Sequence, residues 1–96
     1  DTDKGHHMQE ILLFTGDNCP ACHQLKNRIK AVGLTDKVTE VNTGTDNGME
    51  RAKEYDIRAI PTMLILDNGE VKDLLRGAMH SDNAIKAFLN FWSNNK

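Results

Sequence analysis

The sequence predicts an α/β fold in the order βαβαββα, a mixed four-stranded sheet flanked by helices. Three observations carry that expectation. The apolar run Ile11-Leu12-Leu13-Phe14 leads, after a short polar link, into a segment with helical spacing, so a strand feeds a helix. Asp67-Asn68-Gly69-Glu70 separates two apolar segments with the Asn-Gly dipeptide that tight hairpins favour. Near the C-terminus, Ile85, Phe88, Leu89 and Trp92 repeat at i, i+3, i+4 and i+7, the stripe of a helix lying on a core.

Gln9 to Thr15 reads as the first strand, and its run of consecutive apolar residues implies burial on both faces and a central place in the sheet. From Cys22 the period changes. Cys22, Leu25, Ile29 and Val32 share one helical face, Lys26, Asn27, Arg28 and Lys30 lie between them, and Gly33 is placed to end the helix. Lys37 to Val41 is a short second strand, parallel to the first through a right-handed crossover. Asn42 to Gly48, polar and with two glycines, reads as a loop. Met49 to Tyr55 reads as a short helix with Met49, Ala52, Lys53 and Asp56 at helical intervals and one face buried. Ile60-Pro61-Thr62 ends it, and Met63 to Leu66 and Val71 to Arg76 are the arms of the hairpin. Gly77 breaks the second arm and Ser81 caps the final helix, in which Phe88, Phe91 and Trp92 read as core. Helices on both faces of the sheet bury these stripes.

A chain of 96 residues supports one compact core. Gly5-His6-His7-Met8 resembles the end of a histidine tag joined to a start methionine, so residues 1–7 read as an expression-tag remnant and residues 8–96 as a single domain. The formal charge is -2, from 12 basic and 14 acidic residues, with no basic run that forms a face. Nucleic acid and anionic membrane are therefore not expected as partners. The apolar runs are too short to span a bilayer. No secretory signal is visible, which makes the cytoplasm the default compartment, and a monomer is expected.

Cys19-Pro20-Ala21-Cys22 holds both cysteines of the chain, at the junction of the first strand and the first helix. A thiol attacks a disulfide as the thiolate, and backbone N–H groups at a helix N-terminus stabilise that anion. Pro20 suits the first helical position, where a missing N–H loses no bond. Cys19 is thus the expected nucleophile and Cys22 the resolving thiol. Lowering a thiol pKa from about 8.5 to about 7 raises its thiolate fraction at neutral pH roughly sixteenfold but cuts its nucleophilicity roughly fivefold. Such tuning therefore sets redox poise and leaving-group quality more than attack rate.

Other readings of the pair exist. A structural zinc site needs about four ligands, and outside residues 1–7 only His23 and His80 offer imidazoles; no metal is expected. Cys19-Pro20-Ala21-Cys22-His23 also matches the Cys-X-X-Cys-His pattern of haem attachment, although the strands and the Asn68-Gly69 hairpin fit a small haem protein poorly. Two inert core thiols would suit Cys22 but not Cys19, which lies between Asn18 and Pro20.

Tyr55-Asp56-Ile57-Arg58-Ala59-Ile60-Pro61-Thr62-Met63-Leu64-Ile65-Leu66-Asp67-Asn68-Gly69-Glu70-Val71 resembles the same stretch of thioredoxins, and Arg76-Gly77-Ala78 resembles their next loop. With Phe14 and Cys19 to Cys22, the resemblance runs from about Ile11 to Trp92. It implies a thioredoxin-like fold with Pro61 in cis. It also implies a substrate groove lined by Asn18, Pro20, Ala59, Ile60, Pro61, Arg76, Gly77 and Ala78, in which the backbone at Ile60 pairs with the substrate chain. The implied activity is reduction of protein disulfides by dithiol exchange, without a prosthetic group, the electrons coming from a thioredoxin-reductase-like flavoprotein or from glutathione.

The chain departs from that pattern in three places. Pro20-Ala21 carries proline first, as in glutaredoxins; Asn18 stands where thioredoxins have Trp; and Leu13 aligns with their buried aspartate. Without that acid, proton transfer from Cys22 needs water or another group, with Glu40 or Asp17 as candidates. A glutathione-dependent, glutaredoxin-like enzyme is the alternative, for which Gly77 and Asp82 would be remnants of a glutathione site. Ala78 in place of a second glycine and the acidic Asp17 weigh against it. A redox-sensing or docking module built on the Ile60 and Gly77 surface is the non-enzymatic alternative.

Overall fold

A computed structural model describes the backbone of residues 9–94 and the side-chain environments of residues 10–89. The reading of residues 1–7 as a tag remnant and of the Phe91 and Trp92 side chains as core lies outside the described residues. The elements are β1 (Gln9–Thr15), α1 (Pro20–Ala31), β2 (Thr39–Asn42), α2 (Asp46–Glu54), β3 (Thr62–Asp67), β4 (Glu70–Arg76) and α3 (Asp82–Asn94), with a 3-10 turn at Thr35–Lys37.

The apolar run of β1 lies inside the sheet, whose order is β2-β1-β3-β4. β1 runs parallel to β2 and antiparallel to β3, so the sheet is mixed. Side chains alternate across a strand, and the two faces sort accordingly. Ile11 and Leu13 join Met63 and Ile65 in packing against Leu25 and Ile29 of α1 and Ile85, Phe88 and Leu89 of α3. Leu12 and Phe14 point the other way, where they meet Val41, Leu64, Leu66 and Ala52 of α2. Two helices thus cover one face and α2 the other. Asn68 and Gly69 take φ of 56° and 85°, the left-handed pair that a two-residue hairpin requires. Between Ile65 and Leu66 the β3–β4 register shifts, Ile65 facing Asp73 and Leu66 facing Val71, so Lys72 is the extra residue of a bulge. Ser81 caps α3, its Oγ accepting the Ala84 N–H at 3.1 Å.

Several ends shift by one residue, and the starts of β2 and α2 differ by more. β2 begins at Thr39 instead of Lys37, because Lys37 and Val38 donate their N–H groups back to Leu34 and Thr35, closing the 3-10 turn. α2 begins at Asp46, inside the segment expected to be a loop. Thr45 is its N-cap: Oγ1 accepts the Gly48 N–H at 3.0 Å, which brings Gly48 into the first turn. The residues buried in α2 are Gly48 and Ala52. Met49 is 46% exposed, and Asp56 lies beyond the helix at φ 57°, so neither forms part of the buried face expected for it.

Candidate active site

The C-terminal ends of β1, β2 and β4 and the N-terminal end of β3 come together at one end of the sheet, as the pairs Thr15 with Asn42, Phe14 with Thr62 and Thr62 with Arg76 show. The chain leaves β1 there, turns through Asp17 and Asn18, and enters α1 with Cys19 as N-cap and Pro20 in the first turn. Cys19 and Cys22 are joined as a disulfide, their Cα atoms 5.2 Å apart. The Cys22 N–H donates to Cys19 Sγ at 3.1 Å, so the sulfur occupies the place of an N-cap oxygen and faces the positive end of the helix. Cys19 is 8% exposed and Cys22 1%. Cys19 is thus the more exposed member of the pair.

The other expected groove residues divide between the same sheet end and its surroundings. Asn18 and Pro20 flank Cys19 and are exposed. The Ile60-Pro61 peptide is cis. Ile60 packs over Gly16, whose added Cβ would stand 2.6 Å from Ile60 Cδ1, so the glycine lets the proline loop close on the loop that bears Cys19. Ala59 is exposed and its carbonyl accepts the Thr62 hydroxyl at 2.8 Å. Gly77 donates its N–H to the Pro61 carbonyl at 2.8 Å, which brings the loop after β4 against the proline. Arg76 is exposed, whereas Ala78 is buried in the cluster shared by α1 and α3.

The Cys19 loop is also tied to β2. Thr15 C=O accepts both the N–H of Thr43 at 2.8 Å and its hydroxyl at 2.7 Å. Asn42 Nδ2 donates to Asp17 Oδ1 at 2.8 Å. Sequence reasoning did not find these ties; the one available signal was the run of small polar residues from Asn42 to Thr45.

Leu13 is buried, and among the described residues no carboxylate is buried with it. Glu40 and Asp17 are both engaged elsewhere. Glu40 Oε2 accepts from the buried Thr15 hydroxyl at 2.7 Å and pairs with Lys26 Nζ at 3.0 Å, linking β1, β2 and α1. The Thr15 hydroxyl holds the Glu40 carboxyl below the usual carboxylate range; partial burial opposes this and the Lys26 ammonium adds to it. A depressed folded value contributes stability that is present above the unfolded value and is lost as pH falls through the folded one. Glu40→Gln should therefore lower the melting temperature near neutral pH, by an amount worth below about 1 kcal/mol for a solvent-open pair, and the gap should narrow in acid. Melting curves across pH test this; a gap that widens in acid contradicts it.

His23 is exposed, and His80 is tied back by a 2.6 Å contact of Nε2 with the Arg76 carbonyl. Among the described residues, no three His, Cys, Asp or Glu side chains converge as a metal site. No helix among them is long and apolar enough to cross a membrane.

Two sulfurs at the mouth of a helix, in this sheet and this connectivity, make the protein a dithiol–disulfide oxidoreductase. The thioredoxin family model matches residues 4–90. A thioredoxin of Rickettsia bellii is 32% identical over 82 residues, which cover 83% of this chain and 77% of that protein. A thioredoxin of Griffithsia pacifica is 35% identical over 74 residues, 74% of this chain and 68% of its own length. In fold, the chain is similar to a thioredoxin of Thermus thermophilus, with a TM-score of 0.72 at 19% identity over 90% of this chain and 74% of that one. It is likewise similar to oxidised thioredoxin of Plasmodium falciparum, with a TM-score of 0.68 at 24% identity over 88% and 80%. The chain belongs to the thioredoxin family, and with it to the protein-disulfide reductases.

Proposed function

We propose that this protein reduces protein disulfides by dithiol exchange, with Cys19 as nucleophile and Cys22 as resolving thiol. The observation that carries the assignment is the hydrogen bond from the Cys22 N–H to Cys19 Sγ at 3.1 Å in the disulfide, a donor that in the reduced protein favours negative charge on the outer sulfur. In the reduced protein the Cys19 thiolate attacks one sulfur of the substrate disulfide; a mixed disulfide forms and the other substrate sulfur leaves as a thiolate that takes up a proton. Cys22 then gives up its proton and attacks Cys19 Sγ, which releases the second substrate thiolate and forms the Cys19–Cys22 disulfide. Two electrons pass to the substrate in each cycle. No carboxylate stands at Leu13, so we assign the Cys22 proton to water entering at the groove.

Asn18, Pro20, Ala59, Ile60, Pro61, Arg76, Gly77 and Ala78 form the groove in this reading, Ala78 by anchoring the loop from below. Among the described residues the backbone N–H and C=O of Ile60 have no protein partner, which suits them to pair with an extended substrate segment. The protein acts as a monomeric domain of residues 8–96, in a reducing compartment such as the cytoplasm, and a thioredoxin-reductase-like flavoprotein returns the electrons. Recycling assays with that reductase and with glutathione test the donor. Reductase-driven turnover at least about tenfold above the glutathione rate is expected; faster recycling by glutathione would favour the glutaredoxin-like alternative.

A further inference from the structure

The sheet end that carries the disulfide is electrically bipolar. Asp17 follows β1 and bonds to Asn42 at the end of β2, while Arg76 ends β4 opposite Thr62. The strand order β2-β1-β3-β4 therefore sets these two charges on opposite flanks of the Ile60-Pro61 segment, which enters β3.

Among the described residues neither charge is compensated, and Asp17 is also held in place. Asn42 Nδ2 donates to Asp17 Oδ1 at 2.8 Å, and Asn42 Oδ1 in turn accepts the Gly44 N–H at 2.7 Å. The other carboxylate oxygen lies close over Gly44, where an added Cβ would meet Oδ2 at 2.8 Å. Its partner is a neutral amide, and among the described residues no cation lies within ion-pair distance of Asp17. On the other flank, Arg58, Ala59, Thr62, Leu74 and Arg76 help line a cavity of about 540 Å³. Arg58 is neutralised there by Asp56 at 3.0 Å, whereas Arg76 has no acidic partner among the described residues.

We propose that this polarity selects and orients the substrate: the enzyme prefers disulfide-bearing segments with a basic side chain on the Asp17 flank of the attacked cysteine and an acidic one on the Arg76 flank. The proposal rests on the dithiol-exchange reading above. Charges at the rim of a groove act mainly on encounter and register, and they weaken as salt shortens the screening length.

The test uses symmetric disulfide dimers of a single-cysteine peptide in which Lys precedes and Glu follows the cysteine, and a second dimer with that order reversed. At about 20 mM salt one order should be reduced about three- to tenfold faster, and the ratio should approach one at about 0.5 M. Asp17→Asn keeps an oxygen for Asn42 and removes the charge; it and Arg76→Gln should each shrink the ratio. Equal rates for the two orders at low salt, or a ratio unchanged in both variants, would overturn the proposal. A neutral dimer with Ser at both positions separates the two readings. If it is reduced while the charged dimers react equally, only the polarity falls; if it is not reduced, the exchange reading falls as well.

Discussion

Cys22→Ser should accumulate a covalent adduct with a disulfide-bearing protein, and Cys19→Ser should form none. Both variants should lose about a thousandfold or more of turnover, because each removes one of two groups that act as a unit. The asymmetry in trapping follows from position. Cys19 Sγ caps α1 and accepts the Cys22 N–H, whereas Cys22 is one turn inside the helix and 1% exposed. With Ser at position 22 the first attack proceeds and the mixed disulfide has no internal thiol to release it. With Ser at position 19 the remaining thiol lies behind the helix mouth, where a bulky disulfide does not reach. Non-reducing gels and mass spectrometry of the adducts read the difference directly. Equal trapping by the two variants contradicts the assignment.

Gly48→Ala should destabilise the fold by about 2–3 kcal/mol, a fall in melting temperature of about 10–20 °C for a domain of this size. The sign is what discriminates. In an ordinary helical turn the same change stabilises by up to about 1 kcal/mol, since alanine has the better helix propensity. At Gly48, however, the added Cβ would lie 1.8 Å from the Asn42 carbonyl oxygen and 2.5 Å from its carbon, so the backbone must move. That carbonyl also accepts the Thr45 hydroxyl at 2.8 Å, and the Asn42 side chain holds Asp17. Displacing α2 therefore disturbs the loop that carries Cys19, and activity measured below the melting transition should fall with stability. A variant that melts at or above the wild-type temperature contradicts this account of the α2 junction.

Local chemistry made much of the fold legible. The apolar run of β1, the Asn68-Gly69 turn, the Cys22-Leu25-Ile29 stripe and the Ser81 cap each depend on neighbours within one turn or one hairpin, and the spacing of the residues reveals them. The start of α2 was hidden for a physical reason. Gly48 reads as a loop breaker, yet it is present because the Asn42 carbonyl leaves no room for a side chain. Thr45 caps the helix with Gly48 at the position where an acidic partner would have marked a capping box.

The candidate site was legible in its sulfurs and in its proline, which sit in recognisable local sequence. Its electrostatics were not. The Thr15–Glu40 and Asn42–Asp17 bonds each join residues 25 positions apart, and only the pairing of β1 with β2 brings them together. Glu40 and Asp17 stood out from the sequence as acids near the cysteines, with no indication that one is bound to Thr15 and Lys26 and the other to Asn42.

The central claim is that electrons leave through Cys19 and Cys22 together. Mixing the reduced protein with a disulfide-bearing protein in the absence of any other thiol, quenching in acid, and counting free thiols on both partners by mass spectrometry tests it. One substrate disulfide should disappear for each Cys19–Cys22 disulfide that forms. Substrate disulfides that persist beside a fully reduced Cys19 and Cys22, or that disappear while this pair stays reduced, would contradict it.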